Sequence, residues 1–226
     1  MTIVIRQFIV PAATIDPFFS FEHTDTMSQP VQQSQTEIIV TGFGGQGIIL
    51  AGRILGMAAS LGDKKESTLV QAYGPESRGG ACNAQVIISD TPIHYPYVNT
   101  PDILIAMSQA GYDKFVTALA DDSVLLIDED LVRLQQAPCD HFAIPATRMA
   151  ENLGNKMMAN IIMLGFCTAV TGAVSSRAAQ VTIADSVPRG TSERNIEAFG
   201  KGFDYGLSTL KGRRKVAAGQ AGALAS

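Results

Sequence analysis

The apolar run Glu37-Ile38-Ile39-Val40-Thr41 leads directly into Gly42-Phe43-Gly44-Gly45-Gln46-Gly47, and that cluster into a stretch of helix-favouring residues. Strand, glycine cluster, helix: this order confines the chain to folds in which a buried strand hands over to a helix through a loop with a bare backbone. From Gln46 to Leu61 the pattern predicts a helix, with Ile48, Ile49, Leu50, Ile54, Leu55 and Met57 set among small residues. Gly52 and Gly56 share one face of it, where they permit a close approach to a sheet. Gly62-Asp63 ends it.

Further strands are predicted at Glu66–Val70, Ala84–Ser89, Asp102–Met107, Ser123–Ile127 and His141–Ile144, with a helix around Gln109–Leu119. The strand–helix rhythm is that of an α/β fold, a three-layer α/β/α domain with a mostly parallel mixed sheet and a helical C-terminal half. With 46% hydrophobic and 17% charged residues, the 226-residue chain can bury a sizeable core. The first two strands are joined by a helix and should run parallel. Gln71–Asn83, rich in Gly and Pro, leaves no room for a crossover helix, so the third strand should run antiparallel to the second. The loop Tyr73–Cys82 then shares a sheet edge with the glycine loop, the carboxyl edge at which open α/β sheets bind ligands.

From Ala146 onward the pattern is helical, broken near Gly154, Gly172 and Pro188. Met157 to Val174 is uncharged, but Asn160, Thr168 and Thr171 dilute it and no basic flank or aromatic belt frames it. It reads as a buried core or interface helix rather than a membrane span. Thr191–Leu210 is predicted as an amphipathic helix carrying Ile196, Phe199, Phe203 and Leu207. Residues 1–35 differ in character, and are expected to be a disordered extension or an over-long start with Met27 as the alternative. Residues 36–210 form the expected domain, and 211–226, with Lys211, Arg213, Arg214, Lys215 and an Ala/Gly run, a frayed tail.

A formal net charge of −4 gives no general attraction to nucleic acid or to an anionic membrane. The 3 cysteines, Cys82, Cys139 and Cys167, are scattered, which fits a reducing cytoplasm and excludes a self-contained Fe–S cluster. His23, His94 and His141 show no ligand spacing. Gly42, Gly44 and Gly47 satisfy a G-x-G-x-x-G template, with Gly45 and Gln46 between them. Such a loop lets backbone N–H groups approach a phosphate at a helix N-terminus. Alone, the pattern fits a tight turn, a phosphate-bearing ligand, or NAD or FAD. For a dinucleotide the ribose acid is misplaced, since Asp63 precedes the second strand instead of closing it. In Tyr73-Gly74-Pro75-Glu76-Ser77-Arg78-Gly79-Gly80, Arg78 offers a planar fork of donors, and Gly79 and Gly80 expose backbone N–H groups. A surface loop with Glu76 and Arg78 paired in solvent is the alternative. Asp128-Glu129-Asp130 reads as a solvated strand end, and Cys82 as a small hydrophobe.

These loops, followed by Tyr95-Pro96-Tyr97, Leu126-Ile127-Asp128 and Asp185-Ser186-Val187-Pro188, resemble the gamma subunit of 2-oxoacid:ferredoxin oxidoreductases from about Glu37 to Gly206. The wording of the two glycine loops is closest to the 2-oxoglutarate branch. The resemblance implies a subunit of a CoA-acylating oxidative decarboxylase. Thiamine diphosphate, Mg²⁺ and Fe–S clusters belong to partner chains: alpha and beta thiamine-binding subunits and a ferredoxin-like subunit or domain, with ferredoxin as acceptor. It implies no catalytic residue and no metal in this chain, and CoA as a co-substrate near Gly42, Gly44, Gly45, Gln46, Gly47, Arg78, Gly79 and Gly80. A stand-alone NAD(P)-dependent oxidoreductase and a purely structural subunit are the alternatives.

Overall fold

The computed structural model describes residues 2–4, 35–73, 81–135 and 138–224. Its centre is a sheet of seven strands in the order β1-β3-β4-β2-β5-β6-β7. The strands are β1 (Thr2–Val4), β2 (Gln35–Phe43), β3 (Glu66–Tyr73), β4 (Ala81–Ser89), β5 (Ile103–Ala106), β6 (Val124–Asp128) and β7 (Asp140–Ile144). β2, β5, β6 and β7 pair in parallel, while β4 pairs antiparallel with both β2 and β3. β2 and β3 therefore point the same way without touching, as the helix between them requires. β1 adds an antiparallel edge strand to β3, with Val4 opposite Thr68.

The two faces of the sheet are covered unequally. On one lie α1 (Ile48–Met57), α3 (Ala146–Asn152), α4 (Ala159–Thr171), α5 (Ser176–Ser186) and α6 (Ser192–Leu224). Their side chains share a core with Ile38, Val40, Leu69, Val86, Ile105 and Leu126. The other face, with Ile39, Ile87, Leu104 and Leu125, is covered by the seven-residue α2 (Gln109–Phe115) and by loop residues such as Val98 and Val132. The alternation of Ile38 and Ile39, or Leu104 and Ile105, between the two clusters is the period of two that a doubly covered sheet imposes.

α1 runs on through a π-helical turn, Ala58–Gly62. Of its two glycines, Gly52 is the one in close contact: a Cβ there would come within 2.5 Å of the Ala84 methyl on β4. At Gly56 it would meet nothing closer than 3.6 Å, and that residue serves through its carbonyl, which accepts from Ser67 Oγ at 2.8 Å. α4 is the uncharged segment, and every residue from Ala159 to Thr168 is buried. Among the described residues no helix is long and apolar enough to cross a membrane.

α4 and α6 pack through missing side chains. A Cβ on Gly165 would strike the Phe199 carbonyl, and one on Gly202 the Ile162 carbonyl. Phe199 is fully buried beside this seam, whereas Leu207, expected on the apolar stripe, is 47% exposed. α6 also corrects the expected end at Leu210. It continues to Leu224 through the residues anticipated as a frayed tail. Arg213 explains the extension: its guanidinium lies 3.8 Å from the centroid of the Phe142 ring and donates to the His141 carbonyl on β7. β7 is an outer strand, so this contact covers a carbonyl that strand pairing leaves open.

The close seam gives two opposite expectations. Gly202→Ala should lower stability by about 2 kcal/mol or more, because the added methyl has no room. Gly200→Ala, where a Cβ meets nothing within 4 Å, should raise it by roughly 0.5–1 kcal/mol through helix propensity. Urea unfolding of the two variants beside the parent checks both signs.

Candidate functional site

The strand pairing builds the site's edge. Gly42 lies opposite Cys82, and Cys82 opposite Tyr73, while Phe43 lies opposite Ala81. The end of β2, the end of β3 and the start of β4 thus stand side by side. The glycine loop and the Tyr73–Cys82 connection leave the sheet at the same edge, as expected. Residues 74–80, and with them Arg78, Gly79 and Gly80, lie outside the described residues.

This edge is also where the chain changes direction. From β2 it passes over one face to β3; from β5 it passes through α2 on the other face to β6. Neighbouring strands whose connections leave in opposite directions open a crevice between their carboxyl ends. The glycine loop sits over it.

Within the loop, each residue has a distinct role. A Cβ on Gly42 would come within 2.5 Å of Gln46 Oε1 and 2.6 Å of Ile48 Cδ1, so only glycine fits. Gly45 (φ 95°) and Gly47 (φ 74°) are left-handed, which glycine adopts freely. Gly44 and Gly45 are exposed, and the Cβ direction of Gly45 is open space. Gly47 is the N-cap of α1 and offers no side-chain acceptor, and the first turn of α1 holds no acidic residue. No side chain caps that turn at Gly47, and the positive end of the helix dipole lies there.

Gln46 does not point outward. Its Oε1 accepts from the Phe43 amide at 2.6 Å, and its Nε2 donates to the Met107 carbonyl at 3.1 Å. Both ends of the side chain are held by the fold, and they tie the end of β2 to the residue after β5. Asn160, in the first turn of α4, closes the loop from the other side. It is 2% exposed, and its Nδ2 donates to the Gly47 carbonyl at 3.1 Å. Its sequence signal was its polarity: an amide in a buried, uncharged segment must find a partner.

Asp128 corrects a second expectation. It is fully buried instead of solvated, and Oδ2 accepts from Thr147 through both the amide (3.0 Å) and Oγ1 (2.6 Å), while Oδ1 accepts from the Asp130 amide (3.1 Å). Pro145, the N-cap of α3, has no side-chain acceptor, so Asp128 caps that helix from the neighbouring strand end. Glu129 and Asp130 both pair with Arg148 at the surface, at 2.9 and 3.3 Å. The three acids are thus engaged in structure.

The cysteines are buried or half-buried and free. Burial pushes the Cys167 thiol up to about 11 and also raises Cys82, so neither is a ready thiolate. Asp63 lies on the opposite, amino edge, just before β3. Both its oxygens accept from Ser175, the N-cap of α5, at 2.7 and 2.5 Å. β3 ends in Gln71-Ala72-Tyr73 and is separated from β2 by β4. Among the described residues, no acid to hold a ribose stands at the strand end beside the glycine loop. A cleft of about 930 Å³ lined by Tyr112, Val116, Leu119 and Pro138, and one of about 350 Å³ beside Leu61, Arg177 and Val181, contain no residue of the loop.

Residues 37–205 match the family described as pyruvate ferredoxin/flavodoxin oxidoreductase. The chain belongs to this family. It is 49% identical over 172 residues to the 2-oxoglutarate synthase subunit KorC of Methanocaldococcus jannaschii, covering 74% of this chain and 92% of that protein. To the pyruvate synthase subunit PorC of Methanothermobacter marburgensis it is 34% identical, over 72% of this chain and 92% of that one. Among solved structures, the gamma subunit of a keto/oxoacid ferredoxin oxidoreductase from Geobacter sulfurreducens superposes with a TM-score of 0.69 at 40% identity, covering 76% of this chain and 99% of that chain. The chain is accordingly a gamma-type subunit of an oxoacid:ferredoxin oxidoreductase, with the fold of that subunit. A 2-oxoglutarate:ferredoxin oxidoreductase from Magnetococcus marinus, solved with 2-oxoglutarate, coenzyme A and succinyl-CoA, shares the fold at 21% identity and a TM-score of 0.69, over 77% of this chain and 31% of that chain.

The buried cap at Asp128 yields a pH test. Desolvation raises its carboxyl above the usual 3.8, outweighing the Thr147 and Asp130 hydrogen bonds that lower it. A raised native pKa means that the folded state holds the proton more tightly. Its contribution is complete below the unfolded pKa and is lost as pH rises through the native value. The stability of the parent relative to Asp128→Asn should therefore fall as pH rises from about 4 towards neutrality. Urea unfolding across that range measures it; a difference that grows with pH contradicts the assignment.

Proposed function

We propose that this subunit serves a complex that oxidatively decarboxylates 2-oxoglutarate, and that its carboxyl-edge loops hold the phosphate-bearing part of CoA. In that reaction the 2-oxoacid loses CO₂, two electrons pass to ferredoxin, and the acyl group forms a thioester with CoA. Thiamine diphosphate, Mg²⁺ and Fe–S clusters supply the carbon and electron chemistry in the alpha, beta and ferredoxin-like partners. The higher identity to the 2-oxoglutarate synthase subunit than to the pyruvate one supports the substrate. The three free, scattered cysteines suit a reducing cytoplasm.

The observation that carries the CoA reading is the register Gly42–Cys82–Tyr73, which brings two glycine-rich loops to one edge. One loop opens the uncapped N-terminus of α1, where backbone amides and the helix dipole favour an anion. The other loop carries Arg78, whose guanidinium suits a phosphate. Gly44 and Gly45 leave their backbone open to contact. In this reading Gly42, Gln46 and Gly47 shape the loop, and Arg78, Gly79 and Gly80, in the connection between β3 and β4, contribute the remaining contacts to the ligand. This subunit binds and orients; it moves no proton and no electron.

Arg78→Ala should raise the KM for CoA by about tenfold or more, the order of the roughly 1.5–3 kcal/mol of a charge-assisted hydrogen bond. Assembly of the complex and the KM for the 2-oxoacid should stay as in the parent. Steady-state kinetics on the purified complex decide it, and an unchanged KM for CoA removes Arg78 from the site.

A further inference from the structure

Two side-chain amides grip the glycine loop from opposite sides, and neither faces outward. Gln46 ties Phe43 to Met107, across the ends of β2 and β5. Asn160 reaches from α4 to the Gly47 carbonyl, and that carbonyl also accepts from the Ala51 amide at 2.9 Å, closing the first turn of α1. The Asn160 Oδ1 is held by the Ile161 amide at 2.8 Å, which fixes the direction in which Nδ2 points. A Cβ at Gly47 would overlap Asn160 Nδ2, so the left-handed N-cap and the amide fit against one another.

We infer that Asn160 is a positioning residue for the anion site: by holding the Gly47 carbonyl, it fixes the left-handed N-cap and so aims the first amides of α1 at the ligand. The inference rests on the CoA reading of the glycine loop. An oriented set of backbone donors binds an anion better than a loop that must be ordered at the moment of binding. Gly44 and Gly45 have no side chains to stiffen them, and among the described residues Asn160 is the side chain that holds the Gly47 carbonyl. The role falls to a residue more than a hundred positions away, on the helix the sequence marks as a buried core or interface element.

The test uses the assembled complex and the variants Asn160→Ala, Asn160→Ser and Asn160→Asp, with Arg78→Ala as reference. Asn160→Ala should raise the KM for CoA about three- to tenfold, with kcat and the KM for the 2-oxoacid within twofold of the parent. Asn160→Ser, which keeps a donor on a shorter arm, should fall between the two. Asn160→Asp, which replaces the donor with a charge beside an anion site, should give the largest increase. Should the alanine variant bind CoA normally while Arg78→Ala does not, the positioning role is overturned and the CoA reading stands. If neither variant shifts the KM for CoA, both fall. Equal losses for CoA and 2-oxoacid, with a lowered unfolding temperature, would mark Asn160 as structural only and overturn the inference.

Discussion

One strand inserted in reverse organises this molecule. β4 enters antiparallel between β2 and β3, hydrogen-bonding to both along its length. Two loops that would otherwise lie apart are forced to leave the sheet together. The same insertion keeps β3 from touching β2, so the strand end that would carry a ribose-holding acid in a dinucleotide fold is displaced by one strand. A loop that satisfies G-x-G-x-x-G is thereby placed in surroundings unlike those of a dinucleotide site. What remains is a helix N-terminus without a side-chain cap, at the sheet edge where β3 ends and β4 begins.

The loop itself is built by division of labour. Glycines provide the left-handed turns at Gly45 and Gly47, a conformation that glycine adopts most freely. Rigidity comes from elsewhere: from Gln46, whose side chain closes back on the strand ends, and from Asn160 on α4. α4 in turn is fixed by its glycine seam with α6, where Gly165 and Gly202 let backbone meet backbone. A path of close packing thus connects the helical half of the chain to the loop at the sheet edge.

The strand–helix alternation, the antiparallel third strand and the shared edge of the two loops could all be read from the sequence. Each follows from local periodicity and from the length and composition of a connection, such as the Gly/Pro-rich Gln71–Asn83. Contacts between distant positions could not be read in this way. Gln46 fits the motif as a loop residue, but its partner Met107 is far along the chain. Asp128 sits at a strand end, where acids are commonly solvated, and only the fold brings Thr147 to bury it. α6 runs beyond the expected Leu210: Lys211 to Lys215 reads as a solvated run, whereas Arg213 finds the ring of Phe142 on the outer strand. In each case the deciding partner is tertiary.

The central claim is that the two carboxyl-edge loops together hold CoA. Hydrogen–deuterium exchange of the assembled complex, with and without CoA, reads it directly at both loops in one experiment. Slower exchange on adding CoA at residues 42–50 and at residues 74–80, with the amino edge around Asp63 unchanged, is the predicted result. CoA-induced protection confined to other subunits, with both loops exchanging as before, would contradict it.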